Sequence, residues 1–261
     1  MTLDTSFALT PTGSGFQGLA GEEWMFAGRV FGGFLAAFAA KVAMNGAPGL
    51  TLGGIHGCYP QVAAPGRLDG RLEVLRQGKS AQLVRVDLLQ QDALVFTGHV
   101  WLLDPRLTAA GPDAEAPEPD APRIHWLEDE VAFFKNFDIL AIDYPLSPGA
   151  MGDGVPRCEV WARVRPELIG EQIHESLVDL LLYDCFLLEC VFRSEGIGPV
   201  QPVTLDLETR WIRHAPPGAW RRVVTEAVIS DGIALANGTS HTVAGKSLSM
   251  ATSQGRLFRR D

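Results

Sequence analysis

One carboxylate in this sequence stands where burial should forbid it. Asp184 lies in Leu177-Val178-Asp179-Leu180-Leu181-Leu182-Tyr183-Asp184-Cys185-Phe186-Leu187-Leu188, a helical run apolar on nearly every side. Such a helix must be buried, and a charge on it is costly unless it has a partner or a task. An ionised aspartate can accept a proton from water, or orient that water. Other residues with chemical potential are less well placed. Gly13-Ser14-Gly15-Phe16-Gln17-Gly18 matches GxGxxG but follows Thr10-Pro11-Thr12, with no strand before it and no βαβ unit around it. It reads as a flexible N-terminal segment and not as a dinucleotide site. Gly238-Thr239-Ser240-His241-Thr242 misses the nucleophile elbow GxSxG at its last position and looks like mid-strand. His56, His99, His125, His174, His214 and His241 show no paired metal spacing, so no metal is expected. His56 reads as a packed or interfacial histidine. Cys58, Cys158, Cys185 and Cys190 form no CxxC, and the last two read as small core residues with free thiols.

The element that positions Asp184 has a counterpart earlier in the chain. A long apolar helix begins at Val30-Phe31-Gly32-Gly33 and runs on through Phe34-Leu35-Ala36-Ala37-Phe38-Ala39-Ala40, with no carboxylate on it. Gly32 and Gly33 would let it start close to a neighbouring strand. Strand-like runs at 52–62, 70–76, 81–89 and 94–103 follow the first helix. Runs at 204–213, 221–229, 233–243 and 248–258 follow the second, with extended runs at 131–142 and 157–164 before it. Gln82-Leu83-Val84-Arg85-Val86-Asp87-Leu88 alternates with period two, as a strand with one wet face should. A helix wrapped by an antiparallel meander, stated twice, predicts an α+β double hot-dog: repeats at 1–104 and 129–261, joined by a linker at 105–128 rich in Pro, Ala and acidic residues.

Composition narrows the partners. The net charge of -9 argues against nucleic acid or an anionic membrane, both of which attract basic patches. No uninterrupted run approaches the ~18 apolar residues of a membrane span, and no signal peptide is visible. A cytoplasmic protein is expected.

Taken in order, these pieces resemble the TesB-like (type II) acyl-CoA thioesterases. Those are Val30-Phe31-Gly32-Gly33 with its helix, His56, Leu75-Arg76-Gln77-Gly78-Lys79-Ser80 and Phe96-Thr97-Gly98-His99-Val100-Trp101. In the second half they are Tyr183-Asp184, Gly196-Ile197-Gly198, Thr204-Leu205-Asp206 and Gln254 ahead of Arg259. The resemblance implies hydrolysis of acyl-CoA to a carboxylic acid and CoA, no cofactor, and a homodimer or dimer of dimers. It carries over Asp184, Thr204 and Gln254 as the residues that activate water. The family's D-H-S/T-x-W is replaced by Asp206-Leu207-Glu208-Thr209-Arg210-Trp211, about one residue longer, so Thr209 is an alternative to Thr204. The family's Glu-Gly after the glutamine is Gly255-Arg256 here.

Those residue types suit the reaction. A threonine hydroxyl and a glutamine amide can hold a water that an aspartate deprotonates, and helix N-terminal N–H groups can steady an oxyanion. Gly32, Gly33 and Phe186 are expected beside the substrate. Arg76 and Lys79, with Arg213, Arg259 and Arg260 behind them, are candidates for the CoA phosphates. Two other readings stand. One is a non-catalytic acyl-CoA-binding protein of the same fold. The other is an enoyl-CoA hydratase, against which the chain lacks the G-D-x-N-P-x-H stretch.

Overall fold

The computed structural model describes residues 3–108, 118–150, 154–193 and 200–259. The acidic, Pro-rich centre of the linker and Gly196-Ile197-Gly198 lie outside them. In chain order the elements are β1 (Thr10–Thr12), β2 (Gly15–Ala20), β3 (Met25–Phe26), β4 (Arg29–Val30), α1 (Gly32–Gly46), β5 (Thr51–Cys58), β6 (Gly66–Gln77), β7 (Ala81–Gln90) and β8 (Ala93–Leu103). A one-turn α2 (Trp126–Glu130), β9 (Phe137–Asp143), β10 (Arg157–Val164) and α3 (Glu175–Glu189) follow, then β11 (Val200–Trp211), β12 (Arg221–Ser230), β13 (Ile233–His241) and β14 (Ser247–Arg259).

Twelve strands form one sheet in the order β1-β2-β6-β7-β8-β5-β11-β14-β13-β12-β10-β9. The order is mirrored about the antiparallel β5–β11 seam, where Thr209 sits opposite Ile55. On each side of the seam comes the strand that follows a long helix, then the last, the third and the second strand of the meander, then two strands that precede the helix. This is the double hot-dog, with α1 and α3 packed against each other inside the curved sheet. β7 behaves as its alternation predicts: Val84, Val86 and Leu88 are buried while Arg85 is exposed. Among the described residues no helix is long and apolar enough to cross a membrane.

Two expectations fail for identifiable reasons. The GxGxxG stretch forms most of the β1–β2 hairpin instead of a flexible segment. Its glycines serve close packing: a Cβ on Gly15, at φ +147, would meet the Gly70 carbonyl oxygen at 2.1 Å, and one on Gly18 would meet the Phe38 ring at 2.6 Å. The run at 131–142 opens as a 3₁₀ turn, Ala132–Asn136, before β9 begins. A strand would send consecutive residues to opposite faces. The turn instead buries both Phe133 and Phe134, the first stacked on Phe31 at 4.3 Å between ring centroids.

α3 carries a second carboxylate within the apolar run, Asp179, and it is structural. Asp179 pairs with the fully buried Arg221 at 3.0 Å and accepts hydrogen bonds from Trp211 Nε1 at 2.8 Å and Ser249 Oγ at 3.1 Å. These contacts tie α3 to β11, β12 and β14. A buried charge held this way has its compensation within the core.

Candidate active site

The N-terminus of α1 points at the middle of α3, and Asp184 stands where they meet. Its Oδ2 accepts the Gly33 N–H at 2.7 Å. Its Oδ1 accepts the Thr204 hydroxyl at 3.1 Å. The first N–H groups of a helix have no intrahelical acceptor and carry partial positive charge, so a carboxylate is a favourable neighbour there. The approach demands glycine. A Cβ on Gly33 would meet Asp184 Cβ at 2.9 Å and the Phe31 ring at 2.7 Å, and one on Gly32 would meet Asp184 Oδ2 at 3.0 Å. The Tyr59 hydroxyl donates to the Gly32 carbonyl at 3.2 Å, and Arg29 Nη2 donates to the Pro202 carbonyl at 3.2 Å. β4, the end of β5, α1, α3 and β11 are thereby bound into one site.

A cleft of about 340 Å³ opens over these groups. Asp184, Gly32, Thr204, Tyr59 and Arg29 line its polar part, while Phe31, Leu35, Phe133, Phe134, Leu188 and Phe192 line the apolar part. Burial pushes the Asp184 carboxyl up from 3.8 to about 6. The Gly33 N–H, the Thr204 hydroxyl and the charge of Arg29 oppose that shift and favour the ionised form. The carboxyl is therefore mostly ionised at neutral pH and basic enough to take a proton, the condition a general base requires. Burial, with Asp184 nearby, raises the Tyr59 phenol far above its ordinary range and keeps it neutral.

Of the residues expected from sequence, Asp184, Thr204, Gly32 and Gly33 come together here. Thr209 does not join them. It is fully buried between Ile55 and Ala251 in register, about 16 Å along β11 at ~3.3 Å per residue. The β11–β14 register shifts at Leu205, so that Thr204 faces Gly255 and Asp206 faces Gln254.

Gln254 is a correction, because it leaves the sheet on the opposite face. A Cβ on its neighbour Gly255 would meet Leu188 of α3 at 2.7 Å, so Gly255 faces the helix and Gln254 faces away. Its cross-strand neighbour Leu235, and Val228 beyond it, are 56% and 71% exposed. The backbone N–H of Gln254 donates to Asp206 Oδ1 at 2.9 Å. Phe186 is a second correction. It is fully buried against Phe134 and Tyr144 behind the cleft wall, because its side of α3 faces the core.

Arg76 and Lys79 are a third correction. They lie at the β6–β7 turn, and β6 starts beside the cleft and runs away from it. Ten residues of strand separate Gly66 from Arg76, about 33 Å at ~3.3 Å per residue. Arg213 does not line the cleft either, and the Arg259 side chain and Arg260 lie outside the described residues.

Three cleft residues escaped the sequence reading. Arg29 adjoins the Val30-Phe31-Gly32-Gly33 stretch, and a cation next to that motif was an available signal. Tyr59 and Glu189 gave none, since their places depend on how β5 and α3 meet the rest of the fold.

A model of the acyl-CoA thioesterase N-terminal domain matches residues 20–103, and one of the C-terminal domain matches residues 110–255. No curated protein matches the chain. Among solved structures, the acyl-CoA thioesterase II TesB2 of Mycobacterium marinum is 18% identical, with a TM-score of 0.77 over 99% of this chain and 98% of that one. The tesB protein of Mycobacterium avium subs paratuberculosis is 17% identical, with a TM-score of 0.76 over 97% of each chain. A conserved hot-dog protein of unknown function from Alicyclobacillus acidocaldarius is 18% identical, with a TM-score of 0.77 over 99% and 98%. The structural likenesses establish the fold, and the two family matches, which together span most of the sequence, place this chain in the acyl-CoA thioesterase family.

Proposed function

We propose that the cleft hydrolyses acyl-CoA thioesters by direct attack of a water held between Asp184 and Thr204. The observation that carries this reading is the Asp184 carboxylate, fixed by the Gly33 N–H and the Thr204 hydroxyl at the polar end of an apolar cleft. A carboxylate offers about four acceptor directions. Two are taken, and the others are available to a water. Asp184 accepts a proton from that water as its oxygen bonds to the thioester carbon. The carbonyl oxygen becomes an oxyanion, for which the Gly32 N–H is the proposed donor. The C–S bond then breaks, the sulfur leaves with the proton that Asp184 returns, and the products are a carboxylic acid and the CoA thiol. The phenylalanine-lined part of the cleft takes the acyl chain.

We further infer that copies of the chain associate. Val228, Leu235 and Met250 stand exposed on the outer face of the second half of the sheet, where a partner would cover them. The four cysteines are unpaired, which fits a reducing, cytoplasmic setting.

The test is thiol release from acyl-CoAs of graded chain length, comparing the protein with its Asp184→Ala variant. Turnover that collapses in a folded variant supports the mechanism. Acyl-CoA binding without turnover by the unmodified protein would move the reading to a binding protein.

A further inference from the structure

The Tyr59 hydroxyl reaches the carbonyl end of the peptide unit whose other end holds Asp184. It donates to the Gly32 oxygen at 3.2 Å, and the N–H of the same unit, that of Gly33, donates to Asp184 Oδ2 at 2.7 Å. Phenol, peptide and carboxylate thus form one hydrogen-bonded chain running from the end of β5 through α1 to α3. Water activation by Asp184 and Thr204 uses only the last link of it.

The phenol is fixed from several sides. The Tyr59 backbone N–H donates to the Leu205 carbonyl at 3.1 Å, next to Thr204 on β11. The ring meets the fully buried Phe96 edge-on, with 5.3 Å between centroids. Gly32 admits the ring: a Cβ there would lie 3.2 Å from Tyr59 Cε1 as well as 3.0 Å from Asp184 Oδ2. A phenylalanine at this position would make the same ring contacts, so what the hydroxyl adds is the bond to Gly32. A carbonyl in the first turn of a helix accepts from the N–H four residues on, and its second lone pair is open to another donor. A donor on a peptide oxygen draws electron density from the N–H of that peptide and makes it a stronger donor in turn.

We propose that Tyr59 is a positioning residue for Asp184: its hydroxyl fixes and polarises the Gly32–Gly33 peptide, so that the Gly33 N–H holds the carboxylate in place. Its meaning for catalysis rests on the reading of Asp184 as the base, while the hold on the carboxylate is measurable without turnover. Tyr59 is neutral, so Tyr59→Phe deletes a hydrogen bond and no charge. The titratable and charged groups around the pair all remain: Arg29 on β4, Cys58 on β5, Cys185 and Glu189 on α3, and Asp206 on β11.

The experiment compares the protein with Tyr59→Phe by carbon-13 NMR of labelled aspartate carboxyls from pH 4 to pH 8. The Asp184 signal is the one missing from Asp184→Asn. The pH profile of kcat/KM for acyl-CoA hydrolysis is measured alongside. Reinforcement along such a chain is about 10–30% per bond. Its loss weakens the Gly33 bond, which favours the ionised form, so the Asp184 midpoint should rise by about 0.3 of a pH unit. The acid limb of kcat/KM should move up with it. An Asp184 midpoint that stays in place in the folded variant would overturn the proposal, and so would a kcat/KM lowered by the same factor at every pH. If no acyl-CoA is hydrolysed yet the midpoint rises, the hydrolase reading fails and the hold of Tyr59 on Asp184 stands.

Discussion

Replacing Asp184 by Asn should make this protein more stable at neutral and alkaline pH while disabling it. In the folded chain the carboxyl titrates near about 6, against 3.8 for an ordinary aspartate. At about 1.36 kcal/mol per pKa unit, the ionised form is about 3 kcal/mol less favourable in the folded than in the unfolded chain. The sign follows from the direction of the shift. A raised carboxyl binds its proton more tightly when folded, so the cost is fully present above about pH 6. It fades as the pH falls from about 6 and is gone below 3.8, where both states are protonated. Asparagine cannot reproduce both accepted hydrogen bonds, from Gly33 and Thr204, so the expected net gain at pH 8 is about 2 kcal/mol. For a chain of this size that is a rise in Tm of about 4–8 °C. Thermal unfolding followed by circular dichroism from pH 4 to pH 8 measures it, with both proteins side by side. The gap should grow between about pH 4 and pH 6 and stay level above that, while kcat falls by about 10²–10⁴-fold. A gap independent of pH, or a variant less stable at pH 8, would refute the claim that Asp184 is held ionised against its burial.

Other perturbations test the rest of the site. The acid limb of kcat/KM should lie near pH 6, and Thr204→Val should move it upward, because the Thr204 hydroxyl favours the ionised carboxylate. A limb that stays in place in the variant would show that Thr204 does not hold Asp184 in the working enzyme. Gln254→Ala should leave kcat/KM within about twofold, as expected of a change on the far face of the sheet. A hundredfold loss in the same thiol-release assay would return Gln254 to the site.

The sequence was most legible where burial leaves a simple mark. Phe34 to Ala43 and Leu177 to Leu188 have no polar side wide enough for solvent, and both became enclosed helices. The alternation around Val84 and Val86 became a strand with one buried face. Asp184 was readable as an out-of-place carboxylate because its neighbours are apolar, and it does line the cleft. The same sign was ambiguous for Asp179, which turned out to be neutralised by Arg221, far along the sequence on β12.

The chain's own order of residues thus determined its two-fold plan, its two core helices and the one carboxylate that lines the cleft from the middle of α3, because periodicity and hydrophobicity are local properties. Which groups surround that carboxylate was decided only in three dimensions. Gly33 reaches Asp184 across 151 positions of sequence because two helices cross. Thr204 faces the cleft and Gln254 faces away because one extra residue at Leu205 sets the parity of β11 against β14. A shift of a single residue reverses which side of a sheet a side chain occupies, and composition carries no record of that register. Phe133 and Phe134 coil, although their run reads as extended, because the rings of Phe31 and Phe186 lie where both can be buried.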